Sequence, residues 1–184
     1  MPTQIIRPNA TLSQGGMNPS SNIHAVINDN DDLTFAFQSN SSAFYKLEFD
    51  DTSGLGSATI EKFVFSFRAM QDRRPGATVV VTLQDGAGQA YSNFTLGGSG
   101  FDGTKTTYDS SDFTTQQDGS TALDASYLDG LEVIINPSSQ GHRVFDMFVT
   151  VTYSTGYGNT VAGISGISEV IGIATANISK VIGI

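Results

Sequence analysis

The sequence predicts an all-β fold: an antiparallel β-sandwich or jelly-roll-like domain with an extended N-terminal arm and an apolar C-terminal tail. Three observations carry this. Apolar and polar residues alternate with a period of two in seven or so short runs, the mark of strands with one buried face. Clusters of Gly, Asp and Ser separate the runs as turns. No stretch among them has the length of a crossover helix, which a parallel βαβ architecture would need.

The runs follow in order. Leu33 to Gln38 is the first. In Tyr45-Lys46-Leu47-Glu48-Phe49 the odd positions are apolar and the even ones charged. Phe63, Phe65 and Phe67 alternate with Lys62, Val64, Ser66 and Arg68, which puts three rings on one face of one strand. Val79, Val81 and Leu83 alternate with Thr78, Val80 and Thr82, and Asp85-Gly86 then supplies a turn. Tyr91 to Leu96 and Leu131 to Asn136 read as further strands. The last run, Val144 to Tyr153, is expected to place Phe145, Met147, Val149, Val151 and Tyr153 on one face, with Asp146, Thr150 and Thr152 on the other. Between Gly97 and Leu131 propensity resolves little beyond one strand near Thr104 to Tyr108. A loop that long is unusual in a compact domain, so short strand or turn elements are expected within it.

A chain of 184 residues fits one core with appendages. Three zones differ in composition: residues 1–31 as the N-terminal arm, 32–154 as the sandwich, and 155–184 as a repeat-containing tail for oligomerisation or anchoring. Charged residues are only 15% of the chain against roughly 25% in ordinary soluble domains, and Ser and Thr do much of the solubilising instead. The net charge of −9 repels phosphate backbones and anionic lipid, which argues against nucleic-acid and membrane partners. The absence of Cys removes disulfides, thiolate nucleophiles and cysteine metal sites together. The start, Met-Pro-Thr-Gln-Ile-Ile-Arg-Pro, lacks the pattern of a signal peptide, and no run approaches about 18 apolar residues. The N-x-[ST] sequons at Asn9, Asn40, Asn93 and Asn177 therefore read as accidents of a Ser/Thr-rich chain.

Groups for catalysis and metal binding are scarce. There is no G-x-S-x-G elbow, and the two histidines, His24 and His142, lie outside any recognisable motif. His142 is expected in a solvated turn before the last strand. Asp50-Asp51 reads as a solvated turn beside Gly and Ser, not as a hydrolytic carboxylate pair. Asn28-Asp29-Asn30-Asp31-Asp32 is the densest set of oxygen ligands but lacks the Gly and bidentate Glu of an EF-hand, so it too reads as a turn. Arg73-Arg74, the basic pair, is placed on a hairpin loop. No metal, no cofactor and no enzymatic activity are expected.

The tail carries the most specific pattern. Val161-Ala162-Gly163-Ile164, Val170-Ile171-Gly172-Ile173 and Val181-Ile182-Gly183-Ile184 repeat V-x-G-I. The last two copies widen to Ile167-Ser168-Glu169-Val170-Ile171-Gly172-Ile173 against Ile178-Ser179-Lys180-Val181-Ile182-Gly183-Ile184. Ile164, Ile171 and Ile178 fall seven apart as in a heptad, but the glycines each cost about 1 kcal/mol in a helix. Short helical turns alternating with extended V-x-G-I pieces are therefore expected, with a helical bundle as the alternative. From Gly156 onward Glu169 and Lys180 are the only charges, so the apolar residues Val161, Ile164, Ile167, Val170, Ile171, Ile173, Ile178, Val181, Ile182 and Ile184 call for a partner surface.

The opening Ile6-Arg7-Pro8-Asn9-Ala10 and Gly15-Gly16-Met17-Asn18-Pro19-Ser20 resemble the R-P-N-A…G-W-x-P-S start of small β-sandwich proteins encoded among tailed-bacteriophage virion genes. The I-S-K-V-x-G-I repeat is similar to repeats at the ends of phage structural and fibre-like proteins. Met17 stands where Trp is common in that start, and Ile-Gly where Asn-Gly is frequent in the repeat. The resemblance implies a virion component, a capsid decoration (cement) or fibre-type protein. It would contact other capsid or tail proteins through the arm at Ile6, Arg7, Pro8 and Asn9, and would self-associate through the tail. A closed homo-oligomer is the usual outcome of such contacts, with a trimer favoured. An alternative from a different class is a carbohydrate-binding module for host-surface attachment, with Tyr91, Tyr108 and Tyr127 as candidates to stack on a glycan. A tail-associated hydrolase would need a convergent acid/base pair that the sequence does not display.

Overall fold

The computed structural model describes residues 1–28, 32–38, 43–49, 52–71, 78–91, 94–97, 103–137, 141–155, 169–170 and 173–174. Its strands are β1 (Thr3–Ile6), β2 (Pro8–Gly15), β3 (Met17–Asn18), β4 (Ala36–Gln38), β5 (Phe44–Phe49), β6 (Thr59–Gln71), β7 (Thr78–Gln84), β8 (Phe94–Gly97), β9 (Thr106–Asp109), β10 (Glu132–Pro137), β11 (His142–Ser154), β12 (Glu169–Val170) and β13 (Ile173–Ala174). Two short helices, α1 (His24–Ile27) and α2 (Ala125–Asp129), complete the described elements. The larger sheet has the order β3-β4-β11-β6-β9, with β1 also on β11; the smaller has the order β2-β5-β10-β7-β8. Every pairing is antiparallel, so the fold is the all-β antiparallel sandwich that the alternation predicts.

The core lies between the sheets because one phase of each strand faces inward. β6 contributes Phe63, Phe65 and Phe67, and β5 contributes Tyr45, Leu47 and Phe49 from the opposite sheet, all fully buried. Phe49 meets Phe65 edge-on at 6.4 Å between centroids. β7, β10 and β11 fill the remainder with Val79, Val81, Leu83, Val133, Ile135, Met147, Val149 and Val151. Each such side chain removed from water contributes about 1.5–3 kcal/mol.

Three expectations are corrected. First, the N-terminal zone is part of the sandwich. β1 pairs with β11 from Thr3↔Thr152 to Ile6↔Val149, and β2 pairs with β5 from Pro8↔Phe49 to Gly15↔Phe44. The chain crosses from one sheet to the other at Arg7. Asn, Ser and Gly lower β-propensity, but two open sheet edges supply backbone partners that override it. Second, β11 does not keep a single phase. A register shift between Val144 and Asp146 inserts Phe145 as an extra residue, so Val144 and not Phe145 points into the core. Phe145 packs against Phe35 at 5.7 Å, with the Lys105 ammonium 4.5 Å from its ring centre.

Third, His142 is not a solvated turn residue. It opens β11 opposite Gln71, is wholly buried, and stacks on Phe67 at 5.3 Å. Burial lowers its pKa to about 3. The Gly97–Leu131 region does contain the expected short elements: β9, a turn in which Asp118 accepts from the Ser120 and Thr121 amides, and α2, capped by Asp124 accepting from the Tyr127 amide at 2.7 Å.

Two consequences are measurable. Ile6 sits at 1% exposure in the core, so Ile6→Ala should cost about 2–5 kcal/mol in a urea melt, whereas an exposed arm residue would cost almost nothing. The unfolded chain protonates His142 near its ordinary 6.5, while the folded chain resists until about 3. Between those values the unfolded state holds the extra proton, so stability falls as pH drops through the window, by up to about 1.4 kcal/mol per unit. Urea midpoints at pH 7 and pH 5 should converge in His142→Leu; an unchanged pH slope would refute this assignment.

Candidate functional site

β6 and β11 are long neighbours at the centre of the larger sheet, and the phase that does not face the core forms its outer surface. Thr152 lies opposite Lys62, Thr150 opposite Val64, Phe148 opposite Ser66 and Asp146 opposite Arg68. β1 extends these rows on one side, with Thr3 beside Thr152 and the exposed Ile5 beside Thr150. β9 extends them on the other, with Asp109 beside Ser66 and Thr107 beside Arg68. A groove of about 440 Å³ runs over this surface, lined by Lys62, Val64, Ser66, Thr107, Asp109, Phe148, Thr150 and Thr152.

Ion pairs border the groove. Lys62 Nζ lies 2.7 Å from Asp112 Oδ2. The Arg68 guanidinium donates to both Asp32 oxygens at 2.7 Å, a fork-to-carboxylate geometry, and holds the Asp32 carboxyl below its usual pKa. Arg7 reaches the nearly buried Asp146 at 3.2 Å and sits over the Phe148 ring, 5.6 Å from its centre. Asp146 reaches this outer face by alternation with the inward-facing Met147, with which it is in continuous register along β6. Inside the border, Ser66 Oγ donates to Asp109 Oδ1 at 2.7 Å. The groove thus combines a carboxylate, four hydroxyls and an ammonium with the apolar Val64 and an aromatic ring.

Of the residues singled out from the sequence, Arg7 alone among those described borders the groove. Ile6, Arg7 and Pro8 make their contacts within the chain, and Asn9 is exposed at the start of β2. In the tail, Val170 pairs antiparallel with Ile173 across β12 and β13. Val161, Ile164, Ile167, Ile171, Ile178, Val181, Ile182 and Ile184 lie outside the described residues. The tyrosines form no exposed platform. Tyr91 packs against Phe63, Phe113 and Tyr127 and donates its hydroxyl to the Thr115 carbonyl at 2.6 Å. Tyr127 is buried in α2, and Tyr108 is partly buried against the core. Asp29, Asp31, Asp50, Asp51, Arg73 and Arg74 are outside the described residues, and the neighbouring Asp32 is engaged by Arg68. Among the described residues no three His, Asp or Glu side chains gather as a metal site.

Sequence reasoning missed the groove because it followed the inward phase of β6 and β11. The available signal was Phe148, an aromatic in the otherwise polar outward phase of a strand whose inward phase is already filled.

No family model matches the chain, and neither does any curated protein. Similar solved structures include carbohydrate-binding modules. The C-terminal family 6 module of a marine laminarinase from Zobellia galactanivorans is 10% identical, with a TM-score of 0.46 over 82% of this chain and 99% of that one. A module of Cellvibrio mixtus lichenase 5A in complex with cellotriose is 8% identical, with a TM-score of 0.40 over 82% and 97%. A Clostridium stercorarium module in complex with cellobiose is 12% identical, with a TM-score of 0.42 over 82% and 94%. At this level of likeness the sugars remain properties of those modules alone.

Proposed function

We propose that this chain is a non-catalytic carbohydrate-binding β-sandwich that holds a saccharide in the groove on the outer face of its larger sheet. The observation that carries the reading is the content of that groove. A sugar presents apolar C–H faces and a dense set of hydroxyls, and it needs a ring or aliphatic surface together with groups that both donate and accept. Phe148 and Val64 supply the surface; Thr107, Thr150 and Thr152 can do both; Asp109 accepts, Lys62 donates, and Ser66 spends its one O–H on holding Asp109. From Lys62 to Ser66 the floor is about 13 Å long and it is open above, which suits a short length of a polysaccharide. On a glycan array the protein should bind a defined subset of glycans. By calorimetry with the best of these, Phe148→Ala should weaken binding at least about tenfold without lowering the melting temperature, while Tyr91→Phe should leave it unchanged. Absence of any hit would eliminate the reading.

A second reading rests on the C-terminal repeat, which a saccharide site does not explain. In it the chain is a virion component of a tailed phage, a capsid decoration or fibre-type protein whose apolar tail joins copies into a trimer and docks them to capsid or tail proteins. The supporting observations are the ten Ile and Val residues beyond Gly156 and the antiparallel Glu169–Val170 and Ile173–Ala174 pairing inside one repeat. Light scattering of the whole chain should then give an oligomer, and a variant ending at Tyr153 should be a folded monomer. A monomeric whole chain would reject it.

A further inference from the structure

The groove also indicates which saccharides it accepts, an inference that rests on the carbohydrate-binding reading. An anionic sugar, bearing a carboxylate or sulfate, needs a cation with which to pair. The cations at the groove are already engaged: Lys62 by Asp112 at 2.7 Å, Arg68 by Asp32 at 2.7 Å, and Arg7 by Asp146 at 3.2 Å. A ligand anion would have to displace an intramolecular carboxylate, exchanging one ion pair for another with little gain. The chain's net charge of −9 opposes its approach as well.

Asp109 acts in the same direction. It is exposed at the edge of the groove, and Ser66 Oγ occupies one site on its Oδ1. Its Oδ2 has no hydrogen-bond partner among the described residues. A carboxylate only accepts, whereas the hydroxyls of Thr107, Thr150 and Thr152 both donate and accept, so Asp109 is the one lining group that selects for donors. Its two oxygens match two neighbouring hydroxyls on one sugar ring, and hydrogen bonds to an ionised acceptor are about twice as strong as neutral ones. Ser66 fixes the carboxylate from below, so it meets the ligand pre-oriented.

We infer that the groove is selective for neutral saccharides, with Asp109 accepting from a pair of adjacent sugar hydroxyls and rejecting sugars that carry negative charge there. The test is calorimetry on the whole chain with neutral gluco-, manno- and galacto-oligosaccharides and their C6-oxidised, uronate counterparts. Expected is binding of at least one neutral member, with its uronate partner about tenfold weaker or worse. Asp109→Asn keeps an acceptor for Ser66 and should fold, yet should lose about tenfold in neutral affinity and most of the discrimination. If uronates bind as well as neutral sugars and Phe148→Ala abolishes both, the groove stands and its selectivity is overturned. If Asp109→Asn keeps full affinity and discrimination, the role of Asp109 is overturned. If no saccharide binds, the carbohydrate-binding reading falls and this inference with it.

Discussion

The antiparallel pairing of β6 with β11, from Thr59↔Ser154 to Gln71↔His142, is the constraint on which the rest of the structure depends. Its inward phase sets the Phe63, Phe65 and Phe67 ladder against Met147, Val149 and Val151, and so builds half the core. Its outward phase sets Lys62, Val64 and Ser66 beside Thr152, Thr150 and Phe148, and so builds the groove. A slip of one residue would exchange the two faces, putting rings in water and hydroxyls in the core. The same burial that fixes the core therefore fixes the register of the site. The larger sheet grows outward from this pair: β9 along β6, β1 and β4 along successive stretches of β11, and β3 along β4.

Much of the sandwich was legible because one-sided burial writes itself as alternation, and strands from Tyr45 to Phe49, Thr78 to Gln84 and Leu131 to Asn136 fall where alternation puts them. What alternation cannot register is a change of phase inside a strand. The extra residue at Phe145 reverses the reading of everything before it, and both hydrophobic assignments of the strand look equally good until the partner is known. The N-terminal zone escaped for another reason. Its strands carry Asn, Ser, Gln and Gly and are held by ladder bonds to β11 and β5, which leave no trace in side-chain pattern. His142 was misread because Gly141 before it signals a turn, while its burial is decided by Phe67 on a neighbouring strand. The groove is a property of three strands together, and no single run announces it.

The two readings of function place their demands on different parts of the chain. The sandwich surface is rich in Ser and Thr and its border charges are mutually satisfied, so it meets partners through hydroxyls and one ring. The segment beyond Gly156 is nearly without charge and rich in Ile and Val, and the second reading asks it for hydrophobic association. The two demands fall on different residues, so the readings do not exclude one another.

The joining of β1 to β11 has a consequence for the order in which this molecule is made. Thr3 finds its partner at Thr152 and Ile6 at Val149, nearly the full sandwich away along the chain. Contacts so distant in sequence cannot form during early synthesis, and folds dominated by them are slow to complete. β1 is thus kept waiting until β11 has been made. Closure of this edge of the larger sheet can begin only after residues 149–152 have been made. The stretch of β11 from Val149 to Thr152 therefore cannot be covered by a neighbour already in place, and β1 must be brought back to it across the length of the sandwich.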